Sequence, residues 1–504
     1  MNIFDSILPS SNSSDTSDSD SDDSSESPED TSVTEDSSPF RRSADEWKYA
    51  YDELDVEIAG DNETLSIGYE EEDAKRTDPE AFAGKWPRQV IASRLAKNRH
   101  RDKTWLGYSN GALQGLTPEG IPHKTLFKHA SIFGRTGYGK STVLKNMMLQ
   151  WIMSGYGLCF FDLHGKDSMD LLKSIPEHRL DDVIWIEPAG EYEKEVGMNF
   201  FEPSSERGTI AYEKEVKDIE KDFVELIDVQ DGKQMAPITE TIVRQLVKAE
   251  QNFTPIEFYK ILEEDEEKEL LAEHFGDSFE RPALRRLQEY DSEDLQPIKR
   301  RVKDWVEQKQ TRQIMSRRES TISISNAVES NKILIFNINH LGGDMRSVIA
   351  STIVRRIWNA AQDRDASDTN RPFYLVLDEF HQLEHPKMPI PQILAEARKF
   401  SLSMTLCTQH IGQISNERVV SEMEQNCDTF LSFNPTSGSP AKARNVAEIV
   451  GSNVSPHTLM ELPPFRLVGR VYNAQKKKKE TVDISTFAPF PPLRTTEEAK
   501  DEIR

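Results

Sequence analysis

The stretch His129-Ala-Ser-Ile-Phe-Gly134-Arg-Thr-Gly137-Tyr-Gly139-Lys140-Ser141-Thr142 reads as a short apolar strand, a glycine loop and the start of a helix. Gly134, four intervening residues, then Gly139, Lys140 and Ser141 is the Walker A spacing. Glycines let successive backbone N–H groups turn inward around a polyphosphate, the lysine reaches the β and γ oxygens, and the hydroxyl is placed to ligate Mg²⁺. After Ser141 the apolar residues Val143, Leu144, Met147, Met148, Trp151 and Ile152 recur at helical spacing. The phosphates would therefore sit on a helix N-terminus, where free N–H groups and the helix dipole favour anions. The expected cradle is Gly134, Arg135, Thr136, Gly137, Tyr138, Gly139, Lys140, Ser141 and Thr142, and the expected ligand is ATP with Mg²⁺.

Working outward, 504 residues suffice for two or three domains, one of them α/β. The three cysteines, Cys159, Cys407 and Cys427, show no paired spacing, which argues against a disulfide framework or a zinc knuckle and suits a reducing cytoplasm. No run reaches the length of a membrane span and the first residues lack a basic signal-peptide start, so a cytoplasmic chain is expected. The formal charge is −25, but residues 1–45, with twelve acids against Arg41 and Arg42, carry −10 of it. Net charge is thus a poor guide to partners here, because a ring can keep basic residues in its pore beneath an acidic exterior.

In chain order, residues 1–45 form an acidic Ser/Asp/Glu tail too poor in apolar residues to offset the entropy of ordering, and disorder is expected. Residues 46–125 read as a lead-in region with a helix near 86–100 and strand-like pieces at 104–108 and 121–127. The ATPase core begins at 126–207, with strands at 157–162 and 183–187 around a helix at 167–174. Residues 208–326 change to long charged amphipathic stretches, at 211–229, 237–249, 255–275 and 295–310, and read as an all-α insertion. Strand signals resume at 332–338, 373–378, 403–408 and 429–433, so 327–490 is the second part of a discontinuous core, followed by a tail at 491–504. Near its end, strands at 466–472 and 480–484 flank Lys476-Lys-Lys-Lys479 as a hairpin with a basic tip.

Phe373-Tyr-Leu-Val-Leu-Asp378-Glu379 is an apolar strand ending in two carboxylates, the requirement for a Walker B strand. Asp378 would hold Mg²⁺, and Glu379 would orient and deprotonate the attacking water. Thr408-Gln409 ends the next strand, where an amide is placed to sense the γ-phosphate. Arg398 ends a helix and is the candidate arginine finger for a neighbouring subunit, with Arg346 and Arg355 or Arg356 in reserve; a solvated helix end is the alternative. Asp162 and His164 fall at the same sheet edge, where either a phosphate contact or an Asx turn is expected. His381-Gln-Leu-Glu384-His385 matches an inverted zinc-protease pattern, but Pro386 and the preceding acids leave no room for its helix.

Taken in order, these pieces resemble the HerA/FtsK superfamily of ring-forming DNA-pumping ATPases, and within it the TraG/TraD-like coupling proteins of type IV secretion and conjugation. The residues carrying the resemblance are Lys128 to Gly134 leading into the glycine loop, Phe161-Asp-Leu-His-Gly165 with Arg179-Leu-Asp-Asp-Val-Ile184, Gly197-Met-Asn-Phe200, Lys332 to Asn337, Leu377-Asp-Glu-Phe380, and Ala395-Glu-Ala-Arg-Lys399 leading to Thr408-Gln409. The resemblance implies an α/β, RecA-like P-loop NTPase core with a mostly parallel central sheet, interrupted by an all-α domain, in a hexamer that drives DNA through its channel. It implies that Lys140 and Ser141 bind phosphate and Mg²⁺, that Asp378 is the Walker B acid, Glu379 the catalytic base and Gln409 the sensor, and that Arg398 acts in trans. Partners would be DNA, further copies of the chain, and membrane-channel or relaxosome-type proteins. Unlike typical coupling proteins, this chain begins with an acidic tail rather than transmembrane helices, which leaves recruitment to the inner face of a membrane, a viral genome-packaging motor, a protein-secretion ATPase and an ATP-binding switch as alternatives.

Overall fold

In the computed structural model, the described residues are 58–59, 64–65 and 103–503, apart from 112–114, 127, 189–196, 204, 228–234, 250–251, 264–294, 310–311, 313, 315–316, 365–371, 386–387, 437, 452–453, 474–475, 488 and 491. The expected acidic tail and the helix near 86–100 lie outside them. Residues 58–59 and 64–65 pair as a two-residue antiparallel ladder.

One eleven-stranded sheet organises the remainder. In chain order its strands are β1 (Lys103–Gly111), β2 (Gly115–Pro122), β3 (Ala130–Phe133), β4 (Gly157–Asp162), β5 (Val183–Ile186), β6 (Ile333–Asn337), β7 (Phe373–Leu377), β8 (Leu402–Thr408), β9 (Thr429–Ser432), β10 (Arg466–Asn473) and β11 (Lys478–Thr486). They lie side by side as β2-β1-β11-β10-β9-β3-β8-β7-β4-β6-β5. From β9 to β5 every pairing is parallel, and from β9 to β2 every pairing is antiparallel. β3, β4, β6, β7 and β8 are buried along their whole length and mostly apolar, as parallel strands are when both faces are covered.

One face carries the helix after the glycine loop, α1 (Lys140–Met153), and α2 (Lys166–Leu172). Trp151 of α1 stacks flat on Tyr374 of β7, with ring centroids 3.9 Å apart, and its indole N–H donates to Thr104 Oγ1 of β1 at 2.8 Å. Such a pair is worth about 1 kcal/mol beyond the area it buries, and here it fastens the glycine-loop helix to the strand that carries Asp378. The opposite face carries the helical segment, α3 (Ile210–Leu226), α4 (Met235–Lys248), α5 (Pro255–Glu263), α6 (Gln296–Glu307) and α7 (Ile324–Glu329), together with α8 (Gly343–Gln362). Phe201, Phe223, Phe258 and Trp305 meet edge to face and tie the segment together. Its apolar residues are continuous with those under the sheet, so the helices share the core of the strands they interrupt. Asn199, in one of the stretches that carry the resemblance, donates to Phe253 O and Arg318 O at 2.8 and 2.9 Å and accepts from Phe201 N. It ties together three loop segments of the chain, at 199–201, 253 and 318.

Three expectations change. The strand expected at 121–127 is β2, ending at Pro122, with a helical turn at His123–Leu126. The lead-in strands extend the main sheet, because β11 pairs with β1 through Ile484, Ser485 and Thr486. The last residues form a helix, Thr496–Glu502, opened by a Thr495–Glu498 capping box and fastened by Arg494, which donates to Leu172 O and Ile175 O.

Candidate active site

The glycine loop leaves β3 at the carboxyl edge of the sheet and enters α1 at Lys140. Gly137 and Gly139 have φ of 85° and 106°, where side chains are disfavoured, and a Cβ on Gly139 would press on Phe465 and Phe433. Gly134 N donates to both Thr408 O (3.2 Å) and Gln409 O (3.1 Å), which fastens the loop to the end of β8. Arg135 lies over the Tyr138 ring, 4.0 Å from its centroid. Thr136 and Gly137 are exposed at the loop tip, and Ser141 and Thr142 are half-buried at the start of α1.

β8 separates β3 from β7, so Gln409, one residue past β8, falls at the same carboxyl edge of the sheet as the glycine loop and the Asp378–Glu379 pair. Lys140, 4 % exposed, makes an ion pair with Asp378 at 3.0 Å and a closer one with Glu379. Burial alone would push the Lys140 ammonium down, but the Asp378 and Glu379 carboxylates more than reverse this and hold it above its usual range. Glu379 adopts φ 47° and ψ 45°, a left-handed conformation costing a non-glycine residue about 1 kcal/mol or more. Two hydrogen bonds hold that turn, from Glu379 N to Asp378 Oδ1 (2.9 Å) and from Gln382 N to Glu379 O (2.8 Å).

The oxygen donors fit Mg²⁺. Asp378 supplies a nearly buried carboxylate and Ser141 a hydroxyl one position after Lys140, while among the described residues no cluster of three or more His, Cys, Asp or Glu could hold a metal without phosphate and water. Asp162 accepts from His164 N (2.8 Å) and Ser168 N (2.7 Å), so it shapes the turn into α2. Glu384 accepts from Ser415 N and Asn416 N, both at 2.9 Å, which commits it to structure.

Arg398 is exposed in the turn before the amino end of β8, eleven positions before Gln409, with the seven residues of the strand between them. At about 3.3 Å per residue it is about 20 Å from its own glycine loop. Arg346 donates to Ile338 O and Asn339 O, Arg355 pairs with Asp222 and Glu225, and half-buried Arg356 donates to Asn199 O. These three are occupied within the chain. Two neighbours of the site had no signal in the sequence as active-site groups: His381 beside Glu379, and Gln413 in the turn after β8.

Residues 121–357 match the family model described as Helicase HerA, central domain. Among solved structures, the bacterial conjugative coupling protein TrwBdeltaN70 in its unbound form shares 15 % identity over 74 % of this chain and 89 % of its own, with a TM-score of 0.53. TrwB in complex with a non-hydrolysable ATP analogue matches 78 % of this chain and 97 % of its own at 14 % identity, TM-score 0.51. VirB4 of Thermoanaerobacter pseudethanolicus matches 76 % of this chain and 96 % of its own at 15 % identity, also with a TM-score of 0.51. At these identities the likeness is one of fold. Among curated proteins, none matches the chain by sequence. No described helix is long and apolar enough to cross a membrane.

Proposed function

Proceeding from a HerA/FtsK-type P-loop domain with the fold of conjugative coupling proteins, we propose that the chain is a Mg²⁺-dependent ATPase that assembles as a ring and couples hydrolysis to DNA translocation in conjugative transfer. The observation that carries the ATPase reading is the convergence of Lys140, Asp378 and Glu379 in a nearly buried cluster under the glycine loop. Solved TrwB complexes contain ADP with Mg²⁺ and a non-hydrolysable ATP analogue, which supports the same ligands here.

The chain's residues divide the work. Backbone N–H groups from Gly134 to Thr142 bind the phosphates, and Lys140 leaves its carboxylate partners for the β and γ oxygens. Asp378 and Ser141 would hold Mg²⁺, which supplies charge neutralisation on the phosphates. Glu379, freed from Lys140, orients the water and accepts its proton. Gln409 lies where it can report the γ-phosphate. Arg398, remote from its own loop, serves the site of the next copy, so hydrolysis depends on assembly. The discontinuous core (126–207 and 327–490) provides the motor and the helical segment (208–326) the attachment for partners.

The test is steady-state hydrolysis across protein concentration and salt, with and without single- and double-stranded DNA, alongside Arg398→Ala. A DNA-stimulated rate that rises with assembly, and an Arg398→Ala protein that binds nucleotide but hydrolyses it at least about a hundredfold more slowly, supports the reading. Hydrolysis indifferent to DNA at every salt concentration overturns the DNA-motor reading and favours a protein cargo or a switch.

A further inference from the structure

Two buried polar atoms beside the catalytic cluster lack hydrogen-bond partners and face each other: Glu379 Oε2 and His381 Nδ1, 3.6 Å apart. The other side of the His381 ring meets Gln413, whose Nε2 is 3.5 Å from His381 Nε2. Gln413 joins the site to the loop that carries Gln409. Its Oε1 accepts from Thr408 Oγ1 (2.8 Å), Gln409 N (3.0 Å) and His410 N (3.4 Å).

Those contacts determine where the histidine proton resides. Backbone N–H groups can only donate, so the atom of Gln413 facing Gln409 N and His410 N is its oxygen, and the atom facing His381 is its NH₂ group, also a donor. His381 Nε2 must then accept. Burial lowers the His381 pKa, outweighing the attraction of Glu379, so the ring is neutral and carries one proton. With Nε2 accepting, that proton is on Nδ1, pointing at the unpartnered Glu379 oxygen.

We propose that His381 is a positioning residue for Glu379, fixed in its Nδ1–H tautomer by Gln413, and that Gln413 links it to the backbone of the Gln409 loop. Glu379 then has Lys140 on Oε1 and the Nδ1–H group of His381 3.6 Å from Oε2, near enough to close on it. When Lys140 turns to phosphate, Oε1 is released for water while the Nδ1–H donor on Oε2 keeps the carboxylate aimed. No proton passes to or from His381. A shift of the Gln409–His410 backbone around a γ-phosphate moves Gln413, and with it the ring that aims the base. This inference rests on the ATPase reading and on Glu379 as its base.

The test uses the full chain, four single variants and one double variant, with Glu379→Gln as control. Asn at 381 keeps an amide donor near the Nδ1 position, whereas Gln reaches toward Nε2 and Ala keeps neither. His381→Ala and His381→Gln should lower kcat about ten- to a hundredfold with KM and affinity for a non-hydrolysable ATP analogue within twofold of wild type, and His381→Asn should recover most of the rate. Gln413→Leu should lower kcat comparably, and adding it to His381→Ala should cost little more. In nucleotide-free protein labelled with ¹⁵N-histidine, the signal lost in His381→Asn should be that of an Nδ1–H tautomer. An Nε2–H tautomer, additive losses, or an Asn variant no better than Ala overturns the proposal. Unchanged hydrolysis in Glu379→Gln would instead overturn the base assignment beneath it.

Discussion

Two clusters in this protein, one buried and one half-buried, have the same composition, one cation between two carboxylates, and opposite uses. At the glycine loop Lys140 lies between Asp378 and Glu379. Between α3 and α8, Arg355 lies between Asp222 and Glu225, each 3.0 Å away. The arginine fork presents separate nitrogens to separate acids, Nε to Asp222 and Nη2 to Glu225, so both contacts are directional at once. Lysine is a point charge on a flexible stem and exchanges partners without rebuilding its surroundings. The first cluster is thus suited to giving up its cation to a phosphate and the second to holding two layers together.

Substitutions should separate the two. The largest effect is expected for Glu379→Gln, which keeps the shape but removes the base: kcat should fall about 10² to 10⁴-fold in steady-state assays, with analogue binding retained. Arg355→Met should behave in the opposite way. It leaves Asp222 and Glu225 without their shared cation in the half-buried α3–α8 interface and should cost about 1 to 3 kcal/mol in denaturant melts, with the turnover of the folded fraction unchanged. An Arg355→Met protein that loses hydrolysis but not stability would erase the distinction.

A third effect is on pH. Burial pushes Asp222 up to about 7 from 3.8, outweighing Arg355, with Glu225 and Asp218 adding to the rise and Arg356 opposing it. Because the folded pKa lies above the unfolded one, the folded chain keeps a proton that the unfolded chain has released. Stability should fall as pH climbs through that interval and level off above it. Melts of Asp222→Asn should show a flatter profile. The smallest effect is expected at Lys248 and Glu213, whose ion pair at 2.9 Å is half in water: Lys248→Ala should shift stability by no more than about 0.5 kcal/mol.

The α/β core was legible in the sequence because its signals are local. A strand, a glycine loop and a helix lie within 130–153, and an apolar strand ending in two acids lies within 373–379. The structure brings Lys140, Asp378 and Glu379 together and leaves Arg398 exposed before the amino end of β8, away from them. His381 attracted notice only as part of a zinc pattern, and Gln413 not at all. Their contact joins residues 32 positions apart through two irregular turns, and no periodicity marks such turns. Val348, Ile349, Ile353, Val354 and Ile357 recur at helical spacing along the buried face of the long helix α8.

By itself the sequence determined the P-loop chemistry, the apolar parallel strands and the helical character of the interruption, because backbone conformation and side-chain period are set within a few residues. Only the tertiary structure decided that the lead-in strands and the C-terminal hairpin extend one sheet, that the inserted helices share its core, and that Glu379 has Lys140 on one oxygen and His381 facing the other. Those outcomes depend on pairing and packing between distant segments, where the free energy belongs to the contact and is written in neither segment alone.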